Sequence, residues 1–124
     1  DLHSFPTRRS SDLNFFPLDA NVLRAMVAPR AVFSSDGEED HWSNPFGTQL
    51  GWMAAQPIFD FLKVPDRNGF NIRPGVHGFD ERDWIAMLDF CDQVLFGIRD
   101  KACESLNRPY FQDIDIRQYA SWIK

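Results

Sequence analysis

Two short apolar runs, Ala31-Val32-Phe33-Ser34 and Phe70-Asn71-Ile72-Arg73, constrain this chain most. The first is short, apolar and unalternating, the pattern of a parallel strand covered on both faces. Each run opens into a loop, and each loop is followed by residues at helical spacing. After the first comes the acidic stretch Asp36-Gly37-Glu38-Glu39-Asp40, and after the second Pro74-Gly75-Val76-His77-Gly78. Strand, loop, helix, strand, loop, helix predicts an α/β architecture with a parallel sheet.

The helices are placed by period and punctuation. A short helix over 20–27 takes Asp19 as its N-cap and is stopped by Pro29. A second, over about 47–62, carries Leu50, Met53, Ala54, Ile58, Phe61 and Leu62 at helical spacing. Pro57 falls inside it, where a missing N–H predicts a kink. The third runs from about 80 to 96. Trp84, Leu88, Cys91 and Leu95 form one face, and Asp89, Asp92 and Gln93 are expected to face water. Gly97 is a good stop. Residues 98–124 show no clear period, but Tyr110, Phe111, Tyr119 and Trp122 suggest a tail that packs onto the domain, with a helix near 116–123.

The ends and the composition bound the possibilities. Residues 1–13, Asp1-Leu2-His3-Ser4-Phe5-Pro6-Thr7-Arg8-Arg9-Ser10-Ser11-Asp12-Leu13, match the in-frame translation of a short-read sequencing adapter. They are read as an artefact and set aside from fold reasoning. The domain is then expected over 14–97, with its own N-terminal part absent, as in a metagenomic fragment. Arg8 and Arg9 leave together with Asp1 and Asp12, so the net charge of −5 stays with the remainder. An acidic chain without a Lys/Arg cluster argues against nucleic acid as partner. No stretch approaches the roughly 20 apolar residues of a membrane span. Twelve Phe and four Trp suit a packed core. Cys91 and Cys103 give no disulfide framework, and Cys91 reads as a small buried hydrophobe.

His77 and the acidic loop carry the chemistry. In serine hydrolysis a histidine takes the serine proton, and a carboxylate holds the imidazole in the right tautomer. An acid after one strand and a histidine after the next is the order in which an α/β-hydrolase presents them, downstream of its nucleophile. No Gly-x-Ser-x-Gly elbow occurs in the chain. Three other readings stay open on the residues alone. His77 could be a loop histidine bonded to backbone, and Trp42 could be core. A metal site of Asp40, His41 and His77 matches no ligand spacing.

Between 14 and 96 several stretches carry a family resemblance. They are Phe16-Pro17-Leu18-Asp19-Ala20-Asn21-Val22-Leu23, Val27-Ala28-Pro29-Arg30, Asp40-His41-Trp42-Ser43-Asn44-Pro45-Phe46-Gly47, Ala54-Ala55-Gln56-Pro57-Ile58-Phe59 and Gly75-Val76-His77-Gly78. In this order they resemble the glucuronoyl esterases, serine carbohydrate esterases of the α/β-hydrolase superfamily. The resemblance implies the C-terminal portion of that fold, namely its last two parallel strands with flanking helices. It implies hydrolysis of esters of 4-O-methyl-glucuronic acid, such as those joining glucuronoxylan to lignin. It further implies a secreted or periplasmic enzyme, monomeric when full length, that needs no cofactor or metal.

By the same resemblance His77 is the catalytic histidine, Asp40 the acid, and Trp42 a residue that contacts the sugar. Many family members instead draw their acid from a glutamate after an earlier strand, so the acid's position stays open. Asn21 departs from a frequent histidine. The serine elbow and an oxyanion-stabilising arginine have no counterpart in the chain. A related esterase, such as an acetyl-xylan esterase or peptidase-like hydrolase, would share the acid–histidine order. A non-catalytic α/β domain would keep the His77 loop for structure alone.

Overall fold

The structure is a computed structural model that describes residues 19–99, 106–120 and 123. Residues 1–13, together with Cys103 and Trp122, lie outside the described residues. Helix α1 (Ala20–Ala25) leads to strand β1 (Val32–Gly37), helix α2 (Pro45–Phe61), a 3-10 turn (Pro65–Arg67), strand β2 (Asn68–Arg73) and helix α3 (Glu81–Cys91). A π turn, Asp92–Phe96, continues α3, and Gly97 ends it in the left-handed conformation at φ 69°. Both strands start or end beyond their apolar runs. Asp36 and Gly37 belong to β1 rather than to the acidic loop, and β2 begins at Asn68.

The strands pair in parallel, Val32 opposite Asn68 through to Gly37 opposite Arg73. Helices cover both faces. On one, Trp52 of α2 packs on Phe70 and Ile72, its ring stacked on Phe70 at 5.1 Å between centroids. On the other, Ala86 and Phe90 of α3 gather with Leu106, against Phe33. The result is a three-layer α/β/α unit. Arg24 ties α1 to both strands. Its guanidinium donates to Asn68 Oδ1 at 2.6 Å, Ser34 Oγ at 2.6 Å and the Gly69 carbonyl at 2.5 Å. Burial pushes this guanidinium down to about 10, since a desolvated cation loses its hydration.

Helix starts follow local chemistry. Asp19 accepts from the Ala20 N–H at 2.7 Å. Asn44 caps α2 from a left-handed backbone and accepts from the Gly47 N–H at 3.1 Å, and Pro45 fills the first turn, where no N–H is needed. The helix runs on through Pro57 to Phe61.

Which side of each helix turns inward differs from the sequence expectation. In α3 the buried residues are Asp83, Ala86 and Phe90, followed by Gln93, whereas Trp84, Leu88 and Leu95 are exposed. Gln93 therefore does not face water. The sheet decides the rotation. A Cβ on Gly69 would lie 2.4 Å from the Phe90 ring, so the bare backbone there is the seat for Phe90, which stacks on Phe33 at 5.2 Å. In α2 the inward line is Gln49, Trp52, Ala55 and Phe59, while Ile58, Phe61 and Leu62 are exposed. Gln49 is buried because its amide holds the tail. It donates to the Phe111 carbonyl at 2.8 Å and accepts from the N–H groups of Tyr110 and Phe111 at 2.9 Å each. In the tail, a helix is expected near 116–123; residues 121 and 122 lie outside the described residues, and the described ones hold a single 3-10 turn, Ile116–Gln118.

Candidate active site

The ends of β1 and β2 are where the chemistry collects. Parallel pairing carries both chains off the same end of the sheet, and backbone bonds continue the pairing into the loops. Glu38 N–H donates to the Arg73 carbonyl at 2.8 Å, and Glu39 N–H to the Gly75 carbonyl at 2.9 Å. Gly37 permits this approach, because a Cβ there would meet the Gly75 carbonyl oxygen at 2.5 Å and that of Val76 at 2.6 Å. Gly75 itself sits at φ +119°, a conformation that disfavours side chains.

This geometry brings Asp40 and His77 together. His77 Nδ1 lies 2.7 Å from Asp40 Oδ2. The Asp40 side chain is 6% exposed and that of His77 70%, so a buried acid holds an imidazole that looks outward. The hydrogen bond from His77 holds the Asp40 carboxyl below its ordinary 3.8. It outweighs burial, which pushes the other way, and is helped by the backbone and hydroxyl of Ser43. An ionised carboxylate only accepts hydrogen bonds. Nδ1 must therefore carry the proton toward Asp40, which leaves Nε2 of the neutral ring as an acceptor on the exposed side. Asp40 Oδ1 is occupied by the Ser43 N–H at 3.2 Å, which fixes the carboxylate plane.

Of the other acids in the stretch, Glu38 accepts the Tyr110 hydroxyl at 2.5 Å. That bond, more than burial, pushes the Tyr110 phenol up. Trp42 is not core: it is 89% exposed. Its indole meets the His77 ring edge-on, with centroids 5.9 Å apart and planes at 79°. An exposed indole of this kind can cover a flat apolar face of a ligand while its N–H donates a hydrogen bond. His41 stands in the turn after Asp40, exposed, and no group of three or more potential metal ligands forms among the described residues. Asn21, at the position where the resemblance expects histidine, is buried, and its Oδ1 has no hydrogen-bond partner among the described residues.

Asp40, His77 and Trp42 thus come together as the sequence order suggests. Gly37, Ser43 and Arg73 were not legible as site residues. Each acts on or through backbone, and only the glycine at a strand end and the Arg-Pro step before the His77 loop gave any signal.

Known proteins share part of this chain's sequence and fold. No family model matches the chain. A carbohydrate esterase, MZ0003, from an unknown prokaryotic organism is 31% identical over 96 residues, covering 65% of this chain and 22% of that protein. The 4-O-methyl-glucuronoyl methylesterase 1 of Wolfiporia cocos is 34% identical over 116 residues, covering 91% of this chain and 28% of its own length. Among solved structures, a carbohydrate esterase family 15 glucuronoyl esterase from Caldicellulosiruptor kristjansonii superposes with a TM-score of 0.74 at 36% identity, over 81% of this chain and 26% of that one. The chain spans about a quarter of the length of the curated relatives it matches. Its two parallel strands and flanking helices are part of an α/β-hydrolase fold.

Proposed function

We propose that this chain, a homologue of the glucuronoyl esterases, supplies the acid and base of a serine esterase that hydrolyses esters of 4-O-methyl-glucuronic acid. The observation that carries the reading is the 2.7 Å bond between His77 Nδ1 and Asp40 Oδ2, buried on the acid side and open on the imidazole side. With Nδ1–H committed to Asp40, His77 Nε2 takes the proton from a serine hydroxyl supplied by the rest of the enzyme. The serine oxygen attacks the ester carbonyl, and the protonated imidazole returns its proton to the leaving alcohol, a lignin-type alcohol in this substrate class. Water, deprotonated by the same nitrogen, then clears the acyl-enzyme. No step asks for a cofactor.

The exposure of Trp42 beside His77 favours a glucuronate over a plain acetyl ester, since a stacked ring gives binding energy to the sugar rather than to the reacting carbonyl. We assign the catalytic domain to residues 14–97 and the tail to 98–124, and place the whole enzyme outside the cytoplasm as a monomer. Among the described residues no helix is long and apolar enough to cross a membrane.

The test is transplantation. Residues 19–99 replace the matching quarter of the Caldicellulosiruptor kristjansonii esterase, and turnover of a glucuronate benzyl ester is followed. The hybrid is expected to be active and Trp42→Ala to raise KM for the glucuronate ester more than for an acetyl ester. Purified 124-residue chain, which has no Gly-x-Ser-x-Gly elbow, is expected to give no turnover above buffer. A folded hybrid without activity, or turnover by the chain alone, would contradict the proposal.

A further inference from the structure

The His77 loop is exposed, carries two glycines at positive φ, and still has to present one imidazole nitrogen in a fixed direction. Its anchor lies underneath. Arg73, the last residue of β2, is 5% exposed, and its guanidinium is enclosed by the loop. Nη2 donates to the Gly78 carbonyl at 2.8 Å, and Nη1 reaches the Pro74 and Val76 carbonyls at a longer 3.4 and 3.5 Å. Val76 and Gly78 are the residues on either side of His77, so one cation holds the carbonyls that bracket it.

The guanidinium is itself held. Nε donates to Asp83 Oδ2 at 2.6 Å. Asp83 is wholly buried, and its carboxylate is shared further: Oδ1 accepts the Ser35 hydroxyl at 2.5 Å and Oδ2 the Asp80 N–H at 2.8 Å. Ser35 in turn accepts from Asn71 Nδ2 at 2.9 Å. Burial alone would raise the Asp83 carboxyl, but the bonds from Ser35, Asp80 and Arg73 together hold it below its ordinary range. The network therefore runs from β1 through the start of α3 to the loop, and it is charged and satisfied throughout. Asp40 and His77 do not belong to it.

We infer that Arg73, locked by Asp83, is a positioning residue for His77: it fixes the 74–78 backbone so that Nδ1–H meets Asp40. Arginine suits the task because its planar fork presents separate donors to an acid on one edge and to carbonyls on the other. A lysine ammonium can keep the ion pair with Asp83 but is a single point and cannot span the loop. The inference rests on the proposed acid–base role of His77, since without it there is nothing to position.

The experiment reads His77 directly in the 124-residue chain. With only three histidines present, selective ¹⁵N labelling and long-range ¹H–¹⁵N correlation at mildly alkaline pH report which ring nitrogen of His77 carries the proton. Wild-type protein is expected to show the Nδ1–H tautomer. Arg73→Lys is expected to shift His77 to the Nε2–H form while the Trp52 indole N–H, bonded to the Asn68 carbonyl at 2.9 Å, keeps its resonance. A Lys variant that retains both the Trp52 signal and the Nδ1–H tautomer would overturn the inference. If the variant loses the Trp52 signal, backbone relaxation of the wild-type chain decides. Order parameters at 75–78 near the roughly 0.85 of rigid backbone support the clamp, and values below about 0.6 overturn it. Wild-type His77 in the Nε2–H form would sink the Asp40–His77 reading and overturn the inference with it, whereas a Lys variant that keeps the Nδ1–H tautomer overturns the inference alone.

Discussion

Gly37 shows how closely the site depends on single atoms. The oxygens that a Cβ would strike, at 2.5 and 2.6 Å, belong to backbone, so no rotamer change relieves the clash. Gly37→Ala must push the two loops apart. We expect a destabilisation of about 1–3 kcal/mol, typical of overpacking, together with loss of the His77 Nδ1–H signal; denaturant titration and the same histidine spectrum check it. An alanine variant as stable as wild type would contradict the close approach. Asp80 makes a second case at this scale. The side chain of Arg82 bonds it and holds it at about 2, below its ordinary 3.8. A carboxylate depressed by folding contributes stability that is present above about pH 4 and lost as pH falls toward 2. The chain should therefore weaken across that window, and Asp80→Asn should weaken less, because asparagine still caps α3. Asp40 and Asp83 are depressed in the same direction, so the asparagine variant keeps part of the slope. Denaturation midpoints at about pH 5 and pH 2.5 compare the two.

Helices and strands were legible in type and order, because punctuation is local: Asp19 and Gly97 mark helix ends by bonds to their own neighbours, whereas the Asn44 cap that starts α2 at Pro45, before the expected 47, went unread. Rotation was not legible, because it is settled by partners far away in sequence. Trp84 and Leu88 have the spacing of a core stripe, yet α3 turns Phe90 inward to meet the bare backbone of Gly69. Gln49 is buried by tail residues some sixty positions on. The same logic separates the site residues. Asp40 and His77 could be found from strand–loop order, whereas Ser43 and Arg73 are defined by the backbone groups they hold. The rotation of α3 is testable. Phe90→Ala should cost about 3–5 kcal/mol, as for a buried aromatic, and Leu88→Ala, at a side chain 58% exposed, should stay within about 0.5 kcal/mol. Chemical denaturation of both variants checks the contrast, and the reverse ranking would restore the sequence-based face.

At the scale of the molecule, a two-stranded sheet carries two helical layers while Phe61, Trp84, Leu88, Leu95 and Phe96 remain exposed. Among the described residues the outer edges of β1 and β2 have no strand partner, and such edges and apolar faces invite association. The chain alone should self-associate as its concentration rises in sedimentation velocity, and a monomer at every concentration with a sharp two-state melt would contradict that. The central claim is that Asp40 and His77 work as one acid–base unit, and its most direct measurement is a double-mutant cycle in the active hybrid esterase. His77→Ala is expected to lower kcat by about 10⁴-fold or more, and Asp40→Asn by roughly 10²–10⁴-fold, the scale of disabling a triad through the wrong tautomer. Because both changes break the same unit, the double variant should be no slower than His77→Ala alone. Losses that multiply, or an Asp40→Asn hybrid with unchanged kcat, would show that the acid lies elsewhere and that the 2.7 Å contact is not the working pair.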